Sequence, residues 1–288
     1  MDQTVAIVCH AFLDKCSPEK KEALSSYLSL DLAKELHSLP KTLGDPSIGF
    51  LSYQEGLDQI HYSWFEPFLR GQSESELCLF LGCLEGSQVQ GLKKLLLFSN
   101  STPQLPPIAA SFFKAKLFVS LKDKDLLPIS CLPQSPLNSL LDLSHQELLS
   151  LIELLSMHDL AIEIRHIIDT MRLKKIYSFL NKAQQSYLKT LSHKKEPIAF
   201  KKLGLNNWNG DTEALQASLE QRGINRIAKA LFSHHPSLTW HVSHHLDMNR
   251  GMRLIHLCSP LNHPQADAIL THQVSDLVHS TLTPKNPT

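Results

Sequence analysis

The sequence predicts a mainly α-helical, multi-helical protein whose short helices form an orthogonal bundle or a helical-repeat arrangement. Three observations carry that prediction. Apolar residues recur at intervals of three and four along most of the chain, the period of a helix face. Leucine dominates those positions, and glycine numbers only 11 in 288 residues. Prolines fall between the periodic stretches, where they end helices and keep them short.

Ser17-Pro18-Glu19 offers a helix cap, a first-turn proline and an early acid, ahead of Ala23, Leu24, Tyr27 and Leu28 on one face. A second short helix carries Leu32, Leu36 and Leu39 and stops at Pro40. Between Gly44 and Tyr62 the pattern weakens and no element is assigned. Helices resume over 64–69, 74–84 and 87–98, with Leu92, Leu95 and Leu96 spaced for burial in the last. Three prolines and four small polar residues then crowd 99–107. They mark a linker at 100–107, between an N-terminal helical module at 1–99 and a C-terminal helical domain at 108–288.

Beyond the linker, 109–120 and 123–129 read as helices. Ser144-His145-Gln146-Glu147 fits a capping box and introduces Leu148, Leu151, Ile152 and Leu155. Met157-His158-Asp159 interrupts the apolar run, after which a further helix is expected to turn Leu160, Ile164, Ile167 and Ile168 inward. Another helix carries Leu173, Ile176, Tyr177 and Leu180. Asp211 or Thr212 caps a helix predicted to end at Gly223, the residue type that relieves left-handed strain at a helix end. Short helices follow at 224–232, 236–246 and 252–257, and Pro264 opens a last one through Ile269, Val274 and Leu277.

Lys+Arg and Asp+Glu total 28 each, so bulk charge points to neither nucleic acid nor an anionic membrane. Nowhere do about 18 uninterrupted apolar residues occur, and the first residues lack a basic leader, so a cytoplasmic location without membrane insertion is expected. Six scattered cysteines without a CxxC pair read as reduced and mostly buried.

Seven histidines between 234 and 263 raise a metal-dependent enzyme as the alternative function, since His241 and His245 have the i, i+4 spacing of helical metal ligands. Val242 stands where a hydrolytic zinc helix needs its general-base glutamate, so no metal site and no cofactor are assigned. No GxSxG elbow, Walker loop or dinucleotide glycine pattern occurs, so no catalytic residue is assigned. Trp208-Asn209-Gly210-Asp211 reads as a turn. Positions 172–202 are the most basic stretch. Their aromatics sit at core spacing, so a solvated face or a docking face for an acidic protein is expected rather than a nucleic-acid site.

Residues 224–251, INRIAKALFSHHPSLTWHVSHHLDMNRG, resemble the middle domain of the flagellar rotor protein FliG. There a helix leads into Glu-His-Pro-Gln and an apolar helix ending near Leu-Asp. His235-Pro236 and Leu246-Asp247 keep that frame, while His234 replaces the acid and Ser237 the glutamine. DKDLLPIS, LSMHDLAIEIRHIID, KKIYSFL and KLGLNNWNGD further resemble accessory proteins of the type III secretion apparatus, related in role to its sorting-platform component SctK. The two resemblances imply a non-enzymatic adaptor or scaffold at the cytoplasmic face, peripheral to the inner membrane through protein subunits of a secretion or rotor assembly. The expected partner-binding residues are His235, Pro236, Trp240, Arg226 and Arg250. The oligomeric state stays open.

Overall fold

The computed structural model describes residues 9, 12–14, 16–29, 32–34, 56–122, 125–194, 196–200, 202–205, 208–261 and 265–282. Among these residues the regular elements are helical and no strand occurs, so the fold is mainly α and multi-helical, as the spacing predicts. By packing, the chain divides into two compact units: Met1–Asp123 with Pro128–Ser130, and Lys124–Leu127 with Cys131–Thr288.

The first unit contains α1 (Pro18–Ser25), 3₁₀ turns Gly56–Gln59 and Tyr62–Phe65, α2 (Glu66–Leu69), α3 (Glu74–Gly82), α4 (Gly86–Leu96) and α5 (Pro107–Leu121). Its core gathers Leu57, Phe65, Leu69, Phe80, Leu92 and Leu117. Buried Gln88 donates to Leu57 O (3.0 Å) and Ile60 O (2.8 Å), tying the first turn to α4. The ring of Tyr62 lies so close to Gly91 that a Cβ there would meet it at 2.5 Å.

The proline-rich stretch is packed rather than a free linker. Lys93 Nζ donates to Asn100 O at 2.7 Å, and Pro103 O would lie 2.5 Å from a Cβ on Gly82. Helix α5 joins the same unit, with Phe113 edge-on to Phe80 at 5.1 Å, so the division falls near 123 and not at 100–107. Proline content reports local stiffness; which side of α5 is buried decides where the unit ends.

The second unit holds α6 (His145–Ile164), α7 (Thr170–Phe179), α8 (Lys182–Ser192), α9 (Thr212–Leu231), α10 (Pro236–His245), α11 (Met248–Leu257) and α12 (Ala266–Leu282). Helices α6 and α9, each of 20 residues, cross at its centre, where Leu148, Leu151, Ile152, Ile224, Ile227 and Leu231 share one core. The capping box forms: Ser144 N–H donates to Glu147 Oε2 (2.8 Å), and Glu147 N–H reaches Ser144 Oγ (3.4 Å).

Several expectations are corrected in this unit. Helix α6 runs unbroken through Met157, His158 and Asp159, all buried, because partners from other elements satisfy the two polar side chains. Ile168 is 95% exposed, while Ile167 is the isoleucine that packs inward. Helix α9 continues through Gly223, whose missing side chain serves a close helix crossing and not a C-cap: a Cβ there would stand 1.9 Å from Ile152 O.

Residues 125–128 do not form the expected helix. Leu127 instead docks on α10, its N–H donating to Ser237 Oγ (2.9 Å) and its carbonyl accepting from His241 Nε2 (2.9 Å). Of the cysteines, all free thiols, only Cys83 is buried; Cys131 is exposed and the others are intermediate, fewer buried than the composition predicts. Leu36, Leu39, Pro40, Pro264 and the segment 35–55 lie outside the described residues.

Candidate functional site

The most polar cluster of the second unit surrounds Arg226, which is fully buried. Its Nε donates to Asp159 Oδ2 (2.8 Å) on α6, and one terminal nitrogen donates to Glu196 Oε1 (3.3 Å) and Gln273 Oε1 (2.8 Å) on α12. The other reaches Ile198 O (3.1 Å), and the Phe200 ring lies 5.2 Å from the guanidinium carbon. Only an arginine presents so many donors in a fixed planar fork.

A chain of contacts extends the cluster. His158 Nδ1 lies 2.5 Å from Glu196 Oε2, and His158 Nε2 lies 2.8 Å from the Tyr187 hydroxyl on α8. Burial opposes the Glu196 charge, but the His158 hydrogen bond, the His158 and Arg226 charges and Gln273 outweigh it and hold the carboxyl at about 2. Burial pushes the Tyr187 phenol up to about 12, so it stays a protonated hydroxyl and not an activated nucleophile. The chemistry available here is fastening: one cation joins α6, α9, α12 and the segment 196–200.

The histidine-rich helix α10 is an internal element. Trp240 is buried, its ring stacked 3.8 Å from that of His244. His244 Nδ1 lies 2.7 Å from Trp240 O, and His145 Nδ1 lies 2.9 Å from His245 O. Burial drives the His244 and His245 imidazoles down to about 4, and lowers His241 as well. Among the described residues no group of three His, Cys, Asp or Glu is arranged to hold a metal ion. His263 lies outside the described residues.

The five expected partner-binding residues therefore do not share one exposed face. Arg226 and Trp240 are interior, because Asp159, Glu196 and His244 supply the polar and stacking partners they need. His235 caps α10, its Nδ1 accepting from Ser237 N–H at 3.2 Å, and Pro236 is exposed at the first helical position. Both stand at the surface. Arg250, half-buried, bridges Asp247 Oδ2 (2.6 Å) and Glu220 Oε2 (2.8 Å).

Arg250 also edges a cleft of about 280 Å³ whose apolar floor includes Ile152, Met157, Phe179 and Leu219, with Glu153, Gln184 and Glu220 at its rim. Its Nε is buried without a hydrogen-bond partner among the described residues. The cleft pairs an apolar floor with a mixed-charge rim, the composition of a pocket for a single amphipathic side chain or small molecule.

Sequence reasoning missed His158, Asp159, Tyr187 and Glu196. The sequence carries a signal for the first two: His-Asp inside a strongly apolar helical run has to be partnered if the run is buried. Glu196 and Tyr187 have no such local mark, since they reach the cluster by tertiary folding. No helix among the described residues is long and apolar enough to cross a membrane. Comparison of the chain with protein-family models, with curated proteins and with solved structures yields no match.

Proposed function

We propose that this chain is a non-enzymatic adaptor that binds protein subunits of a larger assembly. The observation that carries the reading is helix α5. It buries Leu117 and Phe118 in the first unit, yet leaves Ile108 (87% exposed), Phe112 (56%) and Val119 (70%) in water at steps of four and seven residues. A helix apolar on its outer side as well as its inner one is built to be covered on both.

The kind of assembly, a type III secretion or flagellar-type machine approached from its cytoplasmic face, is proposed on the likeness of residues 224–251 and the four shorter segments alone. The helical punctuation that likeness requires is compatible with the fold: α9 ends at Leu231, Pro236 opens α10, and Leu246-Asp247 leads into α11.

Affinity purification of the full chain from its native host, followed by identification of what co-purifies, tests the reading. Ile108→Glu with Phe112→Glu is expected to keep the helical circular dichroism and to abolish co-purification of a stoichiometric partner. Retention of that partner by the double variant overturns the assignment to α5.

A further inference from the structure

We infer that the exposed face of α7, with Ile168 at its entrance, docks an acidic protein segment that also carries apolar side chains. This deepens the adaptor reading and rests on it. Residues 165–205 hold ten Lys and Arg against two acids, in a chain whose total charge is zero. Of the two acids, Glu196 is turned inward to Arg226 and His158, which leaves Asp169 as the carboxylate of this stretch at the surface.

Helical geometry sorts the remaining side chains. Ile176 of α7 and Leu188 and Leu191 of α8 enter the core. Met171, Lys174, Lys175 and Ser178 therefore lie along the outer face of α7, all exposed, and Lys182, Ser186 and Lys189 along that of α8. Arg165 is engaged elsewhere: it donates to Leu191 O (3.0 Å) and Ser192 O (3.2 Å) and so closes the end of α8.

Two features choose the class of partner. Ile168 is 95% exposed and Met171 66% exposed, at the entrance to α7 beside the lysines. The aromatics on which a nucleic acid would stack, Tyr177, Phe179 and Tyr187, are packed against the core. An acidic segment with apolar anchors uses both, its charges steering the encounter and its apolar side chains covering Ile168 and Met171.

The test is fluorescence anisotropy with the full chain and a labelled synthetic helical peptide bearing glutamate on one face and leucine on the other. Saturable binding is expected, weakening about tenfold or more between low and moderate salt, as for steered association. Lys174→Glu with Lys175→Glu is expected to remove it, and Ile168→Ser to weaken it without changing its salt dependence, each variant keeping its helical circular dichroism.

The proposal is overturned if the peptide does not bind, if a polyglutamate peptide lacking leucine binds equally, if an oligodeoxythymidine binds as tightly, or if the variants bind like the parent. Should it fail while Ile108→Glu with Phe112→Glu still abolishes co-purification, the adaptor reading stands and only this face is wrong.

Discussion

Replacing Gly223 with alanine adds one methyl group at the tightest point of the second unit. The new Cβ would lie 1.9 Å from Ile152 O, 2.7 Å from Ile152 C and 2.8 Å from Ile152 Cγ2. Two of these three atoms are backbone, so no rotamer change clears them, and α6 and α9 have to separate by more than about 1 Å to restore ordinary van der Waals distance. Overpacking of this kind costs about 1–3 kcal/mol, and a backbone obstacle places the cost at the upper end. Alanine returns up to about 1 kcal/mol through its better helix propensity. The net loss is therefore about 2 kcal/mol, or a melting temperature lower by roughly 4–8 °C in a unit of this size. Urea and thermal melts followed at 222 nm measure it. A variant as stable as the parent, or more stable, would falsify the close crossing, since propensity alone predicts a gain.

Two further perturbations address the buried polar groups. Arg226→Met should destabilise the second unit by about 3–5 kcal/mol at neutral pH, because Asp159 and Glu196 are left as buried carboxylates without their cation. Arg226→Lys should recover only part of that loss, and a deficit below about 1 kcal/mol in the methionine variant would remove the fastening role. Acid should weaken the parent in two windows. His244 and His245 ionise near 4 in the fold and near 6.5 when unfolded, so the unfolded chain takes up protons first. Stability is then full above about pH 6.5 and falls towards pH 4, by up to about 3 kcal/mol for each histidine. Glu196, held near 2, contributes stability that is present above its unfolded value of 4.5 and lost as pH drops towards 2. Urea midpoints measured from pH 7.5 to about 2 give the profile, and a flat line from 6.5 to 4 would contradict the burial of the two imidazoles.

Much of the helical framework was readable from local signals. The box at Ser144–Glu147, the cap at Asp211 and the proline at 236 each act within one turn, and each starts a helix where the spacing places it. What failed were inferences that need knowledge of a distant neighbour. Gly223 reads as a helix end until Ile152 is known to lie against it, and His158-Asp159 reads as a break until Arg226 and Glu196 are brought beside it. Arg226 and Trp240 suffered the reverse error: large, partly polar side chains look like surface anchors in sequence, and the fold uses them as interior fittings. The basic stretch at 172–202 was legible as charge, but the exposure of Ile168, which separates a docking face from a merely solvated one, was not.

The arrangement around Arg226 has a consequence for how the second unit comes apart. Its donors end on α6, α12, Glu196 and the Ile198 carbonyl, so detaching any one of these strands a charge or a polar group in an apolar interior. Fraying of α12 or lifting of 196–200 alone therefore leaves the buried guanidinium short of a partner. Amide protons on α6, α9 and α12 near this point should then exchange with solvent through one shared event, at a single opening free energy, while those of α7 exchange by smaller fluctuations of their own.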